Sequence, residues 1–362
     1  MKEISRSVLK SEAMSLLKQM VETKSFSREE NEVATLMHGF LSEKGLSPER
    51  NQNNIWAKNK NFDPSKPTLL LNSHLDTVKP NSGYTLDPFA ATEKEGKIFG
   101  LGSNDAGGAV VGLLSAFRHF YEMPNLHYNL VLATTAEEEI SGKNGIESVL
   151  PLLAASVGKI DCAVVGEPTG MQMAVAEKGL LVLDCVATGR AGHAAREEGD
   201  NAIYKALKDV EWFRDYRFDR TSPLLGPNKM SVTIIQSGSQ HNVVPRECQF
   251  TVDVRVNELY DFDTVLKTIR EKVGSSVEPR SIRIKSTSIP LDHPLVKAGT
   301  ALGRTHYGSP TTSDKALMPF PALKIGPGES ARSHTADEFI LIQEIEDGID
   351  LYIALLEKVL LP

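Results

Sequence analysis

Leu69-Leu70-Leu71-Asn72-Ser73-His74-Leu75-Asp76-Thr77 is the stretch on which the fold turns. Three successive leucines closed off by polar residues read as the end of a buried strand. In an open α/β sheet, ligands are held at the carboxyl ends of such strands. His74 and Asp76, two residues apart on an extended chain, lie on the same side. The pair suits a metal-binding imidazole and a carboxylate that orients it through the other ring nitrogen. Taken alone, such a pair at a strand end is more often simple turn chemistry.

Two more apolar runs end the same way. Leu130 to Thr135 leads into Ala136-Glu137-Glu138-Glu139, and Cys162 to Val165 into Gly166-Glu167-Pro168-Thr169. Adjacent carboxylates repel unless a cation or solvent relieves them, although an acidic helix start would also satisfy the macrodipole. Between the first two strands lies Gly100-Leu101-Gly102-Ser103-Asn104-Asp105-Ala106-Gly107-Gly108. It lacks the lysine of a phosphate loop and the third glycine of a dinucleotide site. Asp105 stands where this loop becomes a helix, so an N-cap is its plain reading.

Further out, Leu9, Ala13, Leu16, Leu17, Met20 and Val21 recur at helical spacing, which describes an amphipathic first helix rather than an export signal. Ser27 and Glu30 have the spacing of a capping box for a second helix. From about Lys178 the order is strand 180–187, helix 201–213, strands 230–236 and 248–256, helix 262–273 and strand 282–285. That is the β-α-β-β-α-β arrangement of a ferredoxin-like α+β unit. Helical periodicity then returns, closing on a helix near 341–360. The expected architecture is α/β: one discontinuous domain with a mixed central sheet, 1–177 and 288–362, interrupted by an inserted domain, 178–287.

The net charge of −7, with 40 basic against 47 acidic side chains, gives no support to nucleic-acid or anionic-membrane binding. Cys162, Cys185 and Cys248 lie far apart in apolar runs, which points to buried reduced thiols and away from a zinc–thiolate site. A reducing, cytoplasmic location is the expectation.

With the late Ser333-His334-Thr335-Ala336-Asp337-Glu338, the motifs resemble, in order, those of the two-zinc amidohydrolases. That family includes acetylornithine deacetylases, succinyl-diaminopimelate desuccinylases, aminoacylases and the carboxypeptidase that removes folate glutamate. The resemblance covers nearly the whole chain. It implies a zinc-hydrolase catalytic domain interrupted by a dimerisation, or lid, domain. It also implies His74, Asp105 and Glu167 on one metal, and Asp105, Glu139 and His334 on the other. Nitrogen and oxygen ligands suit Zn²⁺, with Co²⁺ or Mn²⁺ as substitutes. Two such cations bring four positive charges and three carboxylates remove three, which eases loss of a proton from water. Asp76 is expected to hold the His74 ring and Glu138 to act as general base. A one-place slip along the glutamates is the competing register.

In the inserted domain, Gly192-His193 resembles the loop whose histidine reaches a partner subunit's site, which implies a homodimer. Asn242 and Arg255 resemble substrate-holding positions, Arg255 by its planar fork, and Thr312 and Ser313 would line the same pocket. Leu101 stands where many members carry arginine. The expected activity is hydrolysis of the N-acyl amide of a small amino acid, in the acetylornithine deacetylase branch: N-acetylornithine, or N-succinylornithine, to ornithine in arginine biosynthesis. Diaminopimelate desuccinylation and dipeptide cleavage are the alternatives. A non-catalytic relative kept for binding, or acidic strand ends that are only helix caps, are the readings from other classes.

Overall fold

The computed structural model describes residues 4–361. Ala176–Thr287 together with Gly308–Thr312 forms one compact unit, and the remaining described residues form another. The short 308–312 segment thus groups with the inserted unit, although its sequence position suggests the closing part of the chain.

The larger unit is built on a mixed sheet. Its strands run in the order Glu49–Asn51, Asn54–Lys58, Asn129–Thr135, Thr68–His74, Cys162–Val165, Ala322–Lys324 and Met173–Glu177. The inner strands Thr68–His74, Asn129–Thr135, Cys162–Val165 and Ala322–Lys324 are parallel. They are buried along their whole length, which is why they read as unbroken apolar runs. Leu69, Leu71, Leu130, Leu132, Val164 and Leu323 face a core shared with helices Arg6–Glu22, Asn31–Glu43, Gly108–Phe120 and Ile342–Leu360. The alternate residues Leu70, Val131, Ala133, Ala163 and Val165 face helix Ile146–Val157. Register matters most for the chemistry. His74 pairs with Thr135 and Asn72 with Val165, so His74, the turn after Thr135 and Glu167 emerge level at the carboxyl ends of three neighbouring inner strands.

The inserted unit has the sheet order Lys229–Ser237, Glu247–Val256, Gly179–Thr188, Ser276–Pro279, antiparallel throughout. Helices Ala202–Asp215 and Phe262–Lys272 share its core through Ala206, Phe213, Val265 and Ile269. This is the ferredoxin-like order. Its last strand lies earlier than the sequence suggests: Val277 is the residue that enters the core, whereas Ile282 is 51% exposed and 282–285 is irregular.

The expected capping box is also corrected. Glu30 is itself the N-cap of the second helix and makes no side-chain cap bond. Ser27 donates instead to Asp76 Oδ2 at 2.7 Å.

Candidate active site and metal centre

His74 is the last residue of its strand and is buried. Its Nδ1 lies 2.9 Å from the main-chain oxygen of Asp76 and 3.6 Å from Asp76 Oδ1. The ring is therefore oriented by a backbone carbonyl rather than by the carboxylate expected from sequence. That leaves Nε2 facing Asp105 Oδ1 at 3.3 Å and Glu167 Oε1 at 3.9 Å.

Asp105 does not cap the following helix, which starts at Gly108 without a side-chain cap bond. Its two oxygens face different imidazoles: Oδ1 faces His74, and Oδ2 lies 3.8 Å from His334 Nε2. The loop that carries it is tight. Gly102 has φ +76°, and a Cβ there would come within 2.5 Å of Thr77 Cγ2, so only glycine fits. Glu338, a buried residue that sequence reading leaves without a role, closes the loop. Its carboxylate accepts from the amides of Gly102 at 3.0 Å and of Asn104 and Asp105 at 2.9 Å each. Burial outweighs these bonds and pushes its pKa up to about 7. The only sequence signal for it was its place at the end of the His334 motif.

The three glutamates do not begin a helix. They sit on an irregular turn, and the next helix starts only at Ile146. Glu137 has φ +56° and turns its carboxylate back to Asn144, 2.8 Å from Nδ2 and 3.3 Å from the amide. Glu139 faces His334 Nε2 at 3.0 and 3.2 Å. Glu138 is half-buried, and desolvation first, then the neighbouring Glu167, hold its pKa well above the usual carboxylate range.

Two groups of side chains could each take a cation: His74, Asp105 and Glu167, and Asp105, Glu139 and His334. Within each group the ligand atoms lie within 4.8 Å of one another, and neither contains a cysteine. All three cysteines are buried free thiols. The electrostatics fit metal binding. Without cations, both Glu138 and Glu139 are driven toward their protonated forms, by burial first and then by a neighbouring carboxylate, Glu167 for Glu138 and Asp105 for Glu139. Burial disfavours the charged His74 ring, but contacts with Asp105 and Asp76 outweigh it and hold its pKa well above the ordinary value. Glu139 raises His334 to about 9. Protons on the two rings thus stand where cations would balance the carboxylates.

The remaining sequence candidates lie elsewhere. His193 and Asn242 come together in the inserted unit, where the short strand Gly192–His193 pairs with Val243–Val244; both side chains are exposed. Arg255 spends its fork on Asp253, two residues away, at 2.8 and 3.0 Å. A substrate carboxylate would have to displace that partner. Thr312 is half-buried, and buried Ser313 precedes Asp314, which accepts from Thr135 Oγ1 at 2.7 Å. Leu101 is buried, at 4% exposure.

The sequence profile of peptidase family M20/M25/M40 matches residues 70–358. Acetylornithine deacetylase from Proteus mirabilis (strain HI4320) is 30% identical over 312 residues, 80% of this chain and 79% of that protein. Succinyl-diaminopimelate desuccinylase 2 from Ruegeria sp. (strain TM1040) is 24% identical over 283 residues, 74% of this chain and 71% of that one. The M20 family metallo-carboxypeptidase Sso-CP2 from Sulfolobus solfataricus has the same fold, with TM-score 0.77 at 18% identity over 96% of this chain and 99% of that one. So does Bacillus subtilis YXEP, a dinuclear metal binding peptidase, with TM-score 0.70 at 16% identity over 98% and 99% of the two chains.

Proposed function

The chain belongs to the M20/M25/M40 peptidase family and is a hydrolase of linear amides, and from that premise we propose that it removes the acyl group from an N-acyl amino acid, N-acetylornithine first and N-succinylornithine as its neighbour. The observation that carries the reading is the pair of metal-competent groups sharing Asp105, with the half-buried Glu138 within electrostatic reach of both.

In this reading His74, Asp105 and Glu167 hold one divalent ion, and Asp105, Glu139 and His334 the other, zinc before cobalt or manganese. When bound, the ions supply Lewis acidity and ease the loss of a proton from water. Glu138 takes that proton as the water oxygen bonds to the acyl carbonyl carbon, and passes it to the amine nitrogen as the amide C–N bond breaks, so that the acyl group leaves as a free carboxylate and the amino acid as its amine. His193 and Asn242 hold the substrate and its developing oxyanion. Arg255, released from Asp253, grips its carboxylate, with Thr312 and Ser313 beside it. The enzyme serves arginine biosynthesis in the cytoplasm; among the described residues no helix is long and apolar enough to cross a membrane.

The test is a panel of N-acetylornithine, N-succinylornithine, N-succinyl-diaminopimelate, N-acetyl amino acids and dipeptides, run with zinc- or cobalt-loaded protein. The expected result is a kcat/KM for an acylornithine at least about tenfold above every other compound, the scale on which one pocket discriminates related groups. Preference for the diaminopimelate or a dipeptide moves the chain to another branch. Amide cleavage of none of them defeats the proposal.

We also propose a homodimer joined through the inserted unit. The strand Lys229–Ser237 is an edge with one paired neighbour, and Ile234 and Ile235 on it are 48% and 50% exposed. Helix Ala202–Asp215 leaves Tyr204 and Leu207 exposed as well. An apolar, unpaired edge is a template for another strand. Sedimentation should find a wild-type dimer and an Ile235→Glu monomer. A monomeric wild type, or a variant that still dimerises, rejects this interface.

A further inference from the structure

The turn that carries Glu138 and Glu139 belongs to neither helix nor strand, so its amides have no ladder to join. Yet three successive N–H groups are each received by a carboxylate from distant sequence. Glu137 N donates to Glu30 Oε1 at 3.2 Å, Glu138 N to Asp76 Oδ1 at 3.0 Å and Glu139 N to Asp76 Oδ2 at 3.2 Å. Both acceptors are held in turn. Ser27 Oγ donates to Asp76 Oδ2 at 2.7 Å. Glu30 also accepts from Arg28 N at 2.6 Å and from Asn53 Nδ2 at 2.8 Å. Glu30 and Asp76 are almost wholly buried, at 0% and 1% exposure. The connector lies along the chain after His74: Thr77 N donates to Ser25 O at 2.8 Å and Ser27 N to Thr77 O at 3.3 Å.

The backbone being held is one that ordinary residues avoid. Glu137 and Ser141 have φ of +56° and +48°, and Arg28 in the connector has +77°. Such conformations persist where surrounding bonds over-determine them. Charge-assisted bonds to main-chain N–H groups are the strong kind.

We propose that the connector between the first two helices is the positioning device for the general base. Ser27 fixes Asp76, and Glu30 and Asp76 together set the turn from which the Glu138 carboxyl projects. Ser27 and Glu30 are positioning residues in this scheme. The role of Asp76 is to hold the glutamate turn by its carboxylate while its carbonyl orients His74. The proposal rests on the reading of Glu138 as base, but the brace itself has a readout that needs no substrate.

The experiment compares wild type, Ser27→Ala, Ser27→Thr, Glu30→Ala and Glu30→Gln as full-length, metal-loaded proteins. Hydrogen exchange is followed in the peptide spanning 136–142 and, as a control, in the strand 68–74. Metal content is measured on the same samples. Ser27→Ala and Glu30→Ala should exchange faster in 136–142 alone, keep their metals, and lose roughly ten- to a hundredfold in kcat with KM unchanged, the scale expected for a misplaced catalytic group. The hydroxyl of Ser27→Thr and the amide oxygen of Glu30→Gln should restore most of both. Should Glu30→Ala fail to fold, Ser27→Ala, which deletes one hydroxyl, decides the matter.

Unchanged exchange in 136–142, or faster exchange with unchanged kcat, overturns the proposal. So does a loss spread evenly over turn and strand. If wild type cleaves nothing in the substrate panel, the deacylase reading fails, while exchange in the turn still decides for or against the brace.

Discussion

Glu138→Gln keeps its fold and both metals and loses at least about a hundredfold, and up to about 10⁴-fold, in kcat, the range spanned by general acid–base catalysis. Glutamine preserves shape and can still accept a hydrogen bond, but it cannot take a proton. Its neighbours are committed elsewhere, which is what singles out Glu138. Glu137 folds back on Asn144, and a Cβ on Gly142 would come within 2.0 Å of Glu137 Oε2, so this carboxylate is packed into the turn. Glu139 is engaged with His334. Glu138 remains, close to Glu167 and His74 and with its pKa raised by burial, which brings a carboxyl nearer the range useful to a base at neutral pH. Metal analysis beside steady-state kinetics separates the roles. Glu139→Gln should lose metal together with activity, whereas Glu138→Gln should lose activity alone. A Glu138→Gln protein within tenfold of wild type, beside an inactive Glu137→Gln protein that keeps its metals, would shift the register by one.

Why so much of this centre was legible follows from the sheet. Parallel strands buried on both faces announce themselves as apolar runs, and polar chemistry can follow only at their ends. His74, the glutamate turn and Glu167 could therefore be picked out before their register was known, and the pairings His74–Thr135 and Asn72–Val165 explain why they meet. What was not legible are contacts whose partners share no local pattern. Glu338 reaches the Asp105 amide across 233 residues, and Glu30 reaches that of Glu137 across 107. Buried carboxylates accepting main-chain N–H groups carry no spacing rule, so Glu30 looked like part of a capping box. His74 and Asp76 were rightly adjacent, but which oxygen of Asp76 meets the ring depends on where the chain turns, and the turn gave the carbonyl that position. The misplaced strand at 282–285 has a plainer cause. Ile282 and Ile284 alternate with basic residues as a strand would, and Val277 at Ser276–Pro279 offers only one apolar residue to the eye.

Replacing Asp105 by alanine should cost both metals, whereas Glu167→Ala or Glu139→Ala should weaken chiefly one. The reason is geometric: Asp105 alone belongs to both ligand groups, one oxygen toward each histidine. Partners outside a ligand set already change metal affinity about ten- to a hundredfold, so loss of a shared ligand should exceed about a hundredfold at each position. Acid should act on the same equilibrium in a direction that can be worked out. In the metal-free protein the His334 pKa stands at about 9, raised by Glu139, and that of His74 stands well above its usual value. A ring nitrogen must be neutral to bind metal, so at pH 7 each ion displaces a proton. Affinity then rises by about tenfold per pH unit at each position, levels off as pH passes the metal-free histidine values, and falls as pH drops below them. Dialysis at a series of pH values followed by elemental analysis reads both effects, and titration calorimetry in two buffers of different ionisation enthalpy counts the protons. Retention of two ions by Asp105→Ala, or binding that releases no proton at pH 7, would remove the shared-carboxylate centre and with it the physical basis of the proposed hydrolysis.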